Sequence, residues 1–217
     1  MARLRKAARM WRDPDKRALA ARVLVAEDGP VAADGPVFAI DAERLFGRRA
    51  PLEVELGAGR GDFIIEYAAG RPERDFLAVE LASSVARVLA LRAARRGLGN
   101  LRVAQMDART LINLMLPARS LSACHVYFPD PWLTLSQRKH RMFSPGFARR
   151  LRRVMAPAAI VHVATDVEPY AVEMFAMLAE AGFCRVDAAA PGARASGFGL
   201  KYLAQGKAVF SASFVPV

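Results

Sequence analysis

The stretch Leu52 to Asp62, LEVELGAGRGD, limits what this chain can fold into more than any other part of it. Leu52, Val54 and Leu56 alternate with Glu53 and Glu55, the period-2 pattern of a strand, and Gly57-Ala58-Gly59-Arg60-Gly61 follows without a spacer. Beyond it Phe63, Ile64, Tyr67 and Ala68 recur at helical spacing, so the glycines join a strand to the first turn of a helix. Glycine has no Cβ and tolerates positive φ, which lets the backbone of such a turn lie close against a ligand. A second apolar strand, residues 76–79, ends in Glu80, about twenty residues beyond Gly57, where a carboxylate is placed to accept from both hydroxyls of a ribose.

Two glycine-turn chemistries separate here. The dinucleotide fingerprint is G-x-G-x-x-G, but the third glycine of this chain falls one residue early, at Gly61, and Asp62 stands where that fingerprint requires glycine. The order E-x-G-x-G-x-G from Glu55 to Gly61 resembles instead the first motif of class I S-adenosylmethionine-dependent methyltransferases, whose glycine turn passes under the methionine and adenosine parts of the cofactor and cradles no pyrophosphate.

With 217 residues, 53% of them hydrophobic, the chain can enclose one substantial core, and no apolar run reaches the roughly 18 residues of a membrane span. Cys124 and Cys184 provide neither a disulfide framework nor a metal-ligand cluster; both read as small core residues of a protein kept in a reducing compartment, the cytoplasm. The net charge of +11 favours polyanionic partners such as nucleic acid, although only five of the 32 basic residues are lysine, a bias that coding composition alone can produce. The chain opens on a basic stretch. Arg3, Arg5, Lys6, Arg9 and Arg12 interleave with Leu4, Met10 and Trp11 as a basic arm, and the Asp-Gly-Pro turns at 28–30 and 34–36 mark residues 1–50 as a segment that wraps a domain spanning 51–217.

From Leu52 onward strand and helix alternate. Ser83 or Ser84 is placed to cap a helix that Gly97 stops; strands follow at 101–105, 121–128 and 158–164, and helices at about 144–155 and 168–181. Alternation of this kind implies an α/β fold with a doubly wound parallel sheet and right-handed crossovers. The last strands, 183–188 and 207–214, are expected to form a hairpin-like antiparallel edge around a long loop at 191–206. His125 and His162 lie in strands as core residues, and no metal-ligand cluster is present.

In such a sheet ligands sit beyond the carboxyl ends of the strands. After the strand at 121–128 comes Phe128-Pro129-Asp130-Pro131-Trp132: two prolines stiffen a turn around Asp130, and two aromatic rings flank it. A carboxylate beside aromatic faces suits a planar base that stacks on the ring while its edge donates to the acid. This FPDPW run, the basic residues Arg138 to Arg141, the later Ala164-Thr165-Asp166-Val167-Glu168 and the N-terminal RLRK together resemble the bacterial tRNA (guanine-N7-)-methyltransferases over most of the chain.

The resemblance implies a seven-stranded Rossmann-like methyltransferase sheet, mostly parallel with an antiparallel edge strand. It implies Glu55, Gly57, Gly59, Gly61, Glu80, Asp107 and Asp130 around S-adenosylmethionine and the reacting base, with Asp130 in the catalytic position. Asp107 reads on local grounds as a helix cap as well. Asp166 would contact the substrate guanosine, a role compatible with capping the helix that follows. Trp132, Lys139, Arg141 and Ser196 complete the substrate side, with Arg149, Arg150, Arg152 and Arg153 facing phosphates. The implied partner is tRNA and the implied state a monomer or homodimer. Two positions depart from the family: Thr134 replaces a lysine two residues beyond FPDPW, and Gly199 replaces the glutamate of a T-x-x-E element that here reads Ser196-Gly197-Phe198-Gly199. Both belong to substrate handling. Two alternatives therefore stay open, a methyltransferase of the same fold acting on another RNA or a small molecule, and a non-catalytic RNA-binding relative.

Overall fold

In the computed structural model, which describes residues 13–25 and 40–217, the chain groups into two compact units that meet in sequence at Ala108 and Arg109. The basic arm at residues 3–12 and the turns at 28–30 and 34–36 lie outside the described residues.

The first unit is built on four parallel strands in the order β1-β4-β3-β2: β1 (Leu24–Val25), β2 (Leu52–Leu56), β3 (Asp75–Glu80) and β4 (Leu101–Gln105). Parallel neighbours require crossovers, and helices α3 (Ile64–Ala69) and α4 (Ser83–Arg95) supply them; α1 (Pro14–Ala21), capped by Asp13, and α2 (Ala42–Phe46), capped by Asp41, precede them. The register sets Val54 against Leu77 and Leu56 against Val79, so β2 and β3 end side by side. Strand β1 is an addition of two residues to the seven strands expected. Ser83 does not cap α4: it is the first helical residue, Ala82 takes the cap position, and the Ala82 N–H donates to Glu80 Oε1 at 2.8 Å.

The alternation in β2 gives the strand correctly, but its polar face is not a wet face. Glu53 and Glu55 are buried like Leu52, Val54 and Leu56 with which they alternate, because parallel sheets are covered on both sides. Glu53 is paired with Arg74 at 2.7 Å, and buried Asp75 with Arg48 at 2.7 Å. Buried Asn100 donates through Nδ2 to the carbonyls of Ala68, Arg71 and Arg74, each at 3.0 Å, tying the end of α3 to the start of β3.

The second unit holds β5 (Leu121–Tyr127), β6 (Met155–Thr165), β7 (Phe183–Val186) and β8 (Phe210–Pro216), in the order β5-β6-β8-β7. Strand β5 is parallel to β6, and β8 is antiparallel to both of its neighbours, so the antiparallel strand sits one place in from the edge that β7 forms. The histidines are core residues as expected: His125 bonds Tyr127 through Nδ1 at 2.9 Å, and His162 bonds Ser213 at 2.7 Å. Cys124 is buried, and burial pushes its thiol up to about 12, but Cys184 is exposed, on the edge strand β7 where Phe183 is the buried residue. Helix α5 (Pro145–Val154) starts at Ser144, whose Oγ accepts from Phe147 N–H at 3.1 Å, and α6 (Glu168–Glu180) buries Tyr170, Met174 and Leu178.

The loop expected at 191–206 is instead two short helices, α7 (Gly192–Ala195) and α8 (Gly197–Ala204). The glycines that read as breakers serve close packing. Ser196 caps α8, accepting from Gly199 N–H at 3.1 Å, and Gly199 lies so near α7 that a Cβ on it would stand 2.3 Å from the Ala193 carbonyl oxygen.

Candidate functional site

Within the first unit the glycine turn leaves β2 with Gly57, Gly59 and Gly61 at φ of 76°, 55° and 76°, the left-handed region. The turn hangs from β3: the N–H groups of Gly57 and Ala58 both donate to the Val79 carbonyl at 2.9 Å. Gly61 is needed for space as well as φ, since a Cβ there would meet Leu89 of α4 at 2.1 Å. Arg92 of α4 donates to Asp62 at 2.6 Å and holds the far side of the turn.

Glu80, half-buried at the end of β3, accepts from the Gly59 N–H through Oε2 at 3.0 Å and from Ala82 through Oε1, leaving a lone pair on each oxygen for a pair of hydroxyls. Asp107 is half-buried and immediately precedes the helical turn Ala108–Thr110. Glu55 is buried at the foot of the turn, and its Oε2 has no hydrogen-bond partner among the described residues. Burial above all, then the like charges of Asp62 and Glu80, pushes its carboxyl well above the usual carboxylate range. A buried, unpaired acid under a glycine turn, with an oriented carboxylate at the end of the next strand, fits a ligand carrying a cationic group and a ribose.

The second unit carries the other constellation. Asp130 is exposed on a turn entered and left through non-glycine residues in the left-handed region, Phe128 at φ 53° and Trp132 at φ 40°. Such residues cost about 1–3 kcal/mol each and persist only where the surroundings hold them. At one end the Phe128 N–H donates to the Ala164 carbonyl at 2.7 Å. At the other, Arg141 donates from Nε to the Pro131 carbonyl at 2.6 Å, pairs with Glu173 of α6, and lies over the Tyr170 ring at 4.6 Å.

Arg141 is therefore not placed for a phosphate. It is 7% exposed, and its guanidinium faces inward as a strut for the Asp130 turn. Lys139 is exposed on the 3-10 turn Arg138–His140, and Trp132 is half-buried with its ring 5.5 Å from His140. Thr134 donates to Gln137 Oε1 at 2.8 Å at the start of that turn. Of the later arginines, Arg149 and Arg150 are exposed, whereas Arg152 reaches the carbonyls of Gly182 and Val217 and Arg153 that of Leu116 at 2.9 Å.

Asp166 does not cap α6. Val167 takes the cap position, and Thr165 Oγ1 accepts from its N–H at 3.2 Å. The Asp166 carboxylate stands near Tyr202 instead, and the pKa of the Tyr202 hydroxyl is raised by burial first and by Asp166 second. Ser196 is buried and caps α8. Tyr202 and Glu173 were not among the residues read from sequence. Glu173 did leave a trace, since it falls beside Met174 on the apolar side of its helix, where an acid needs a cation.

The crowding at position 199 makes a prediction. Gly199→Glu, which writes the family residue back, forces α8 away from α7 and is expected to cost about 1–3 kcal/mol, seen as a lower Tm, with no gain in methyl transfer. A variant with unchanged Tm and higher activity would show that the gap can open.

The family model described as "Putative methyltransferase" matches residues 49–199. The tRNA (guanine-N(7)-)-methyltransferase of Leifsonia xyli subsp. xyli is 41% identical over 155 residues, 71% of this chain and 67% of that protein. The enzyme of the same name from Chromohalobacter salexigens is 42% identical over 139 residues, 64% of this chain and 56% of its own length. That from Methylococcus capsulatus is 39% identical over 66% of this chain and 62% of its own. The chain thus spans less than two thirds of several of the relatives it matches. Among solved structures, the 16S rRNA methyltransferase KamB superposes with a TM-score of 0.63 at 18% identity, covering 90% of this chain and 99% of that one. An S-adenosylmethionine-dependent methyltransferase from Aquifex aeolicus gives 0.56 at 14% identity over 82% and 94%. These likenesses give the expected Rossmann-like methyltransferase fold. With the model match running from the glycine turn through the Asp130 turn to Gly199, and a relative 41% identical over two thirds of its length, the chain belongs to the bacterial tRNA (guanine-N7-)-methyltransferase family.

Proposed function

We propose that the protein is an enzyme that moves the methyl group of S-adenosylmethionine to N7 of a guanine in the variable loop of tRNA, in the cytoplasm. The observation that carries this reading is the Asp130 turn: an exposed carboxylate, flanked by Phe128 and Trp132, held at both ends by hydrogen bonds that keep two non-glycine residues at positive φ. In the same proposal residues 1–50 act as a basic arm on a domain spanning 51–217.

In the first unit, Glu80 holds the ribose hydroxyls, the backbone of Gly57, Gly59 and Gly61 lies under the cofactor, Asp107 reads the adenine amino group, and Glu55 offsets the positive charge. S-adenosylmethionine, when bound, supplies an electrophilic methyl on a sulfonium. In the second unit, Asp130 accepts from the N1 and N2 edge of guanine and Asp166 from the substrate guanosine, while Lys139 meets phosphate. The N7 lone pair is free in neutral guanine, so no base has to remove a proton there. As the ring gains positive charge on methylation, a fixed carboxylate at its edge is attracted more strongly to the transition state than to the ground state. Asp130 is therefore an orienter and electrostatic stabiliser, and alignment contributes the remainder.

A second reading, methyl transfer to another RNA or a small molecule, is favoured by one feature: no side chain fits at Gly199, where the family has its glutamate. The test is transfer of labelled methyl to unmodified bulk tRNA, with product nucleosides identified by mass. N7-methylguanosine is the expected product. A protein that binds cofactor but labels no tRNA nucleoside would move the assignment to the second reading.

A further inference from the structure

Three aromatic rings share one surface of the second unit. Phe198 of α8 is 54% exposed; its ring lies 6.2 Å from Phe128 and 6.0 Å from Tyr202, near-parallel to the latter, and Phe128 and Tyr202 are 5.4 Å apart. Two cations border them. Lys201 Nζ stands 5.8 Å from the Phe198 ring and 5.5 Å from Tyr202, and Lys207 Nζ 4.9 Å from Tyr202. Each of the two inner rings leads to a carboxylate: Phe128 opens the turn that carries Asp130, and Asp166 lies near enough to Tyr202 to raise the pKa of its hydroxyl.

Core packing does not account for this arrangement, because Phe198 keeps more than half of its surface in water while α8 is fixed by the Ser196 cap and the close approach at Gly199. The strained φ of Phe128 also needs a reason, and the ring of this residue is the one that meets both Phe198 and Tyr202 beside Asp130. Aromatic faces with lysines beside them and carboxylate acceptors next to them are what an unpaired nucleobase requires: a π-face to stack on, cations for the adjoining phosphates, and acceptors for its donating edge. An apolar protein partner would not explain the lysines.

We propose that Phe198 is the outer face of a stacking platform, built with Phe128 and Tyr202, that takes an unpaired base of the RNA substrate, with Lys201 and Lys207 meeting the phosphates beside it. This rests on the methyl-transfer reading above and names unpaired RNA as what the second unit holds. The platform also offers a substitute for the substrate contacts missing at Thr134 and Gly199.

The experiment measures binding of unmodified bulk tRNA to the wild type, Phe198→Leu and Phe198→Trp, with S-adenosylmethionine affinity and Tm recorded for each. Leucine keeps the apolar bulk and removes the π-face. Tenfold or more weaker tRNA binding is expected for Phe198→Leu, the order of one lost base stack, with near wild-type binding for Phe198→Trp and unchanged cofactor affinity and Tm in both. Equal tRNA affinity in Phe198→Leu and wild type overturns the platform and leaves the methyl-transfer reading standing. A Phe198→Leu loss accompanied by a fall in Tm or cofactor affinity overturns it as well, since the residue would then be structural. If sedimentation shows that Phe198→Leu changes self-association and not RNA affinity, the surface joins copies of the chain and the proposal fails. A wild type that neither binds nor methylates tRNA overturns both readings together.

Discussion

Asp130→Ala is expected to lower the rate of methyl transfer by on the order of 10²–10³-fold, while cofactor affinity stays within roughly tenfold, about 1.4 kcal/mol. The separation follows from where the residue stands. Asp130 is exposed on a turn of the second unit, held by Arg141 and by the Ala164 carbonyl rather than by its own side chain, so removing the carboxylate leaves the turn intact. Asp130→Asn keeps the shape and loses the charge. If electrostatic support of the methylated ring is the main contribution, asparagine falls nearly as far as alanine; if orientation by hydrogen bonding dominates, it recovers much of the rate. Single-turnover methyl transfer beside calorimetric cofactor titration makes the distinction. A variant that no longer binds S-adenosylmethionine would remove Asp130 from the base-orienting role given to it.

The second large effect is at Glu55, where stability and cofactor binding are expected to move in opposite directions. In the protein without cofactor, burial holds the Glu55 carboxyl well above its ordinary value near 4.5. Below that value both folded and unfolded chains carry the proton, and the group costs nothing. As pH rises past it the unfolded chain ionises while the folded one keeps its proton, so stability falls with pH until the raised folded pKa is passed. Glu55→Gln removes this loss: its Tm is expected to exceed that of the wild type near pH 8 and to converge with it at about pH 4. The same change removes the acid that faces the cofactor's positive charge, so affinity for S-adenosylmethionine should fall by tenfold or more, an order typical of a lost charge-assisted contact. In the wild type, a cationic ligand brings the Glu55 pKa back down, and binding should release a proton, detectable by calorimetry in buffers of different ionisation enthalpy. Proton-neutral binding at every pH would mean that Glu55 does not sense the ligand's charge.

The strands of the sheet were legible because their signal is local. Leu52, Val54 and Leu56, and the apolar runs at 76–79 and 121–127, announce themselves by period and by what ends them, Gly57, Glu80 and Pro129 respectively. The glycine turn, Glu80 and the Asp130 turn were legible for the same reason: each is a short stretch whose backbone needs particular residue types. What sequence could not show was direction. Arg141 sits in a run of basic residues with Arg138 and Lys139, yet it is the buried one of these, paired with Glu173 of a helix about thirty residues later, a carboxylate that exposed Arg138 also reaches at 3.7 Å. Asp166 stood in the position of a cap, yet Val167 takes that position with no side-chain cap bond, and Thr165 Oγ1 accepts from its N–H. The helices at 192–204 were hidden by their own glycines, which lower helix propensity locally but are required where Gly199 meets Ala193 of α7 and Gly192 meets the Tyr127 ring. Propensity yields to packing there, and the platform of Phe128, Phe198 and Tyr202 becomes visible only once those helices are in place.

The two cysteines differ in a way that serves experiment. Cys124 is enclosed in β5, with a thiol that stays protonated at any working pH, so a maleimide has neither access to it nor a thiolate to attack. Cys184 is open to solvent on β7. The unmodified protein thus offers a single chemical handle, and a fluorophore or spin label placed there reports on the edge of the sheet without any engineered residue. It sits on a different element from the Asp130 turn and from α8, which makes it a suitable anchor for following RNA capture by distance.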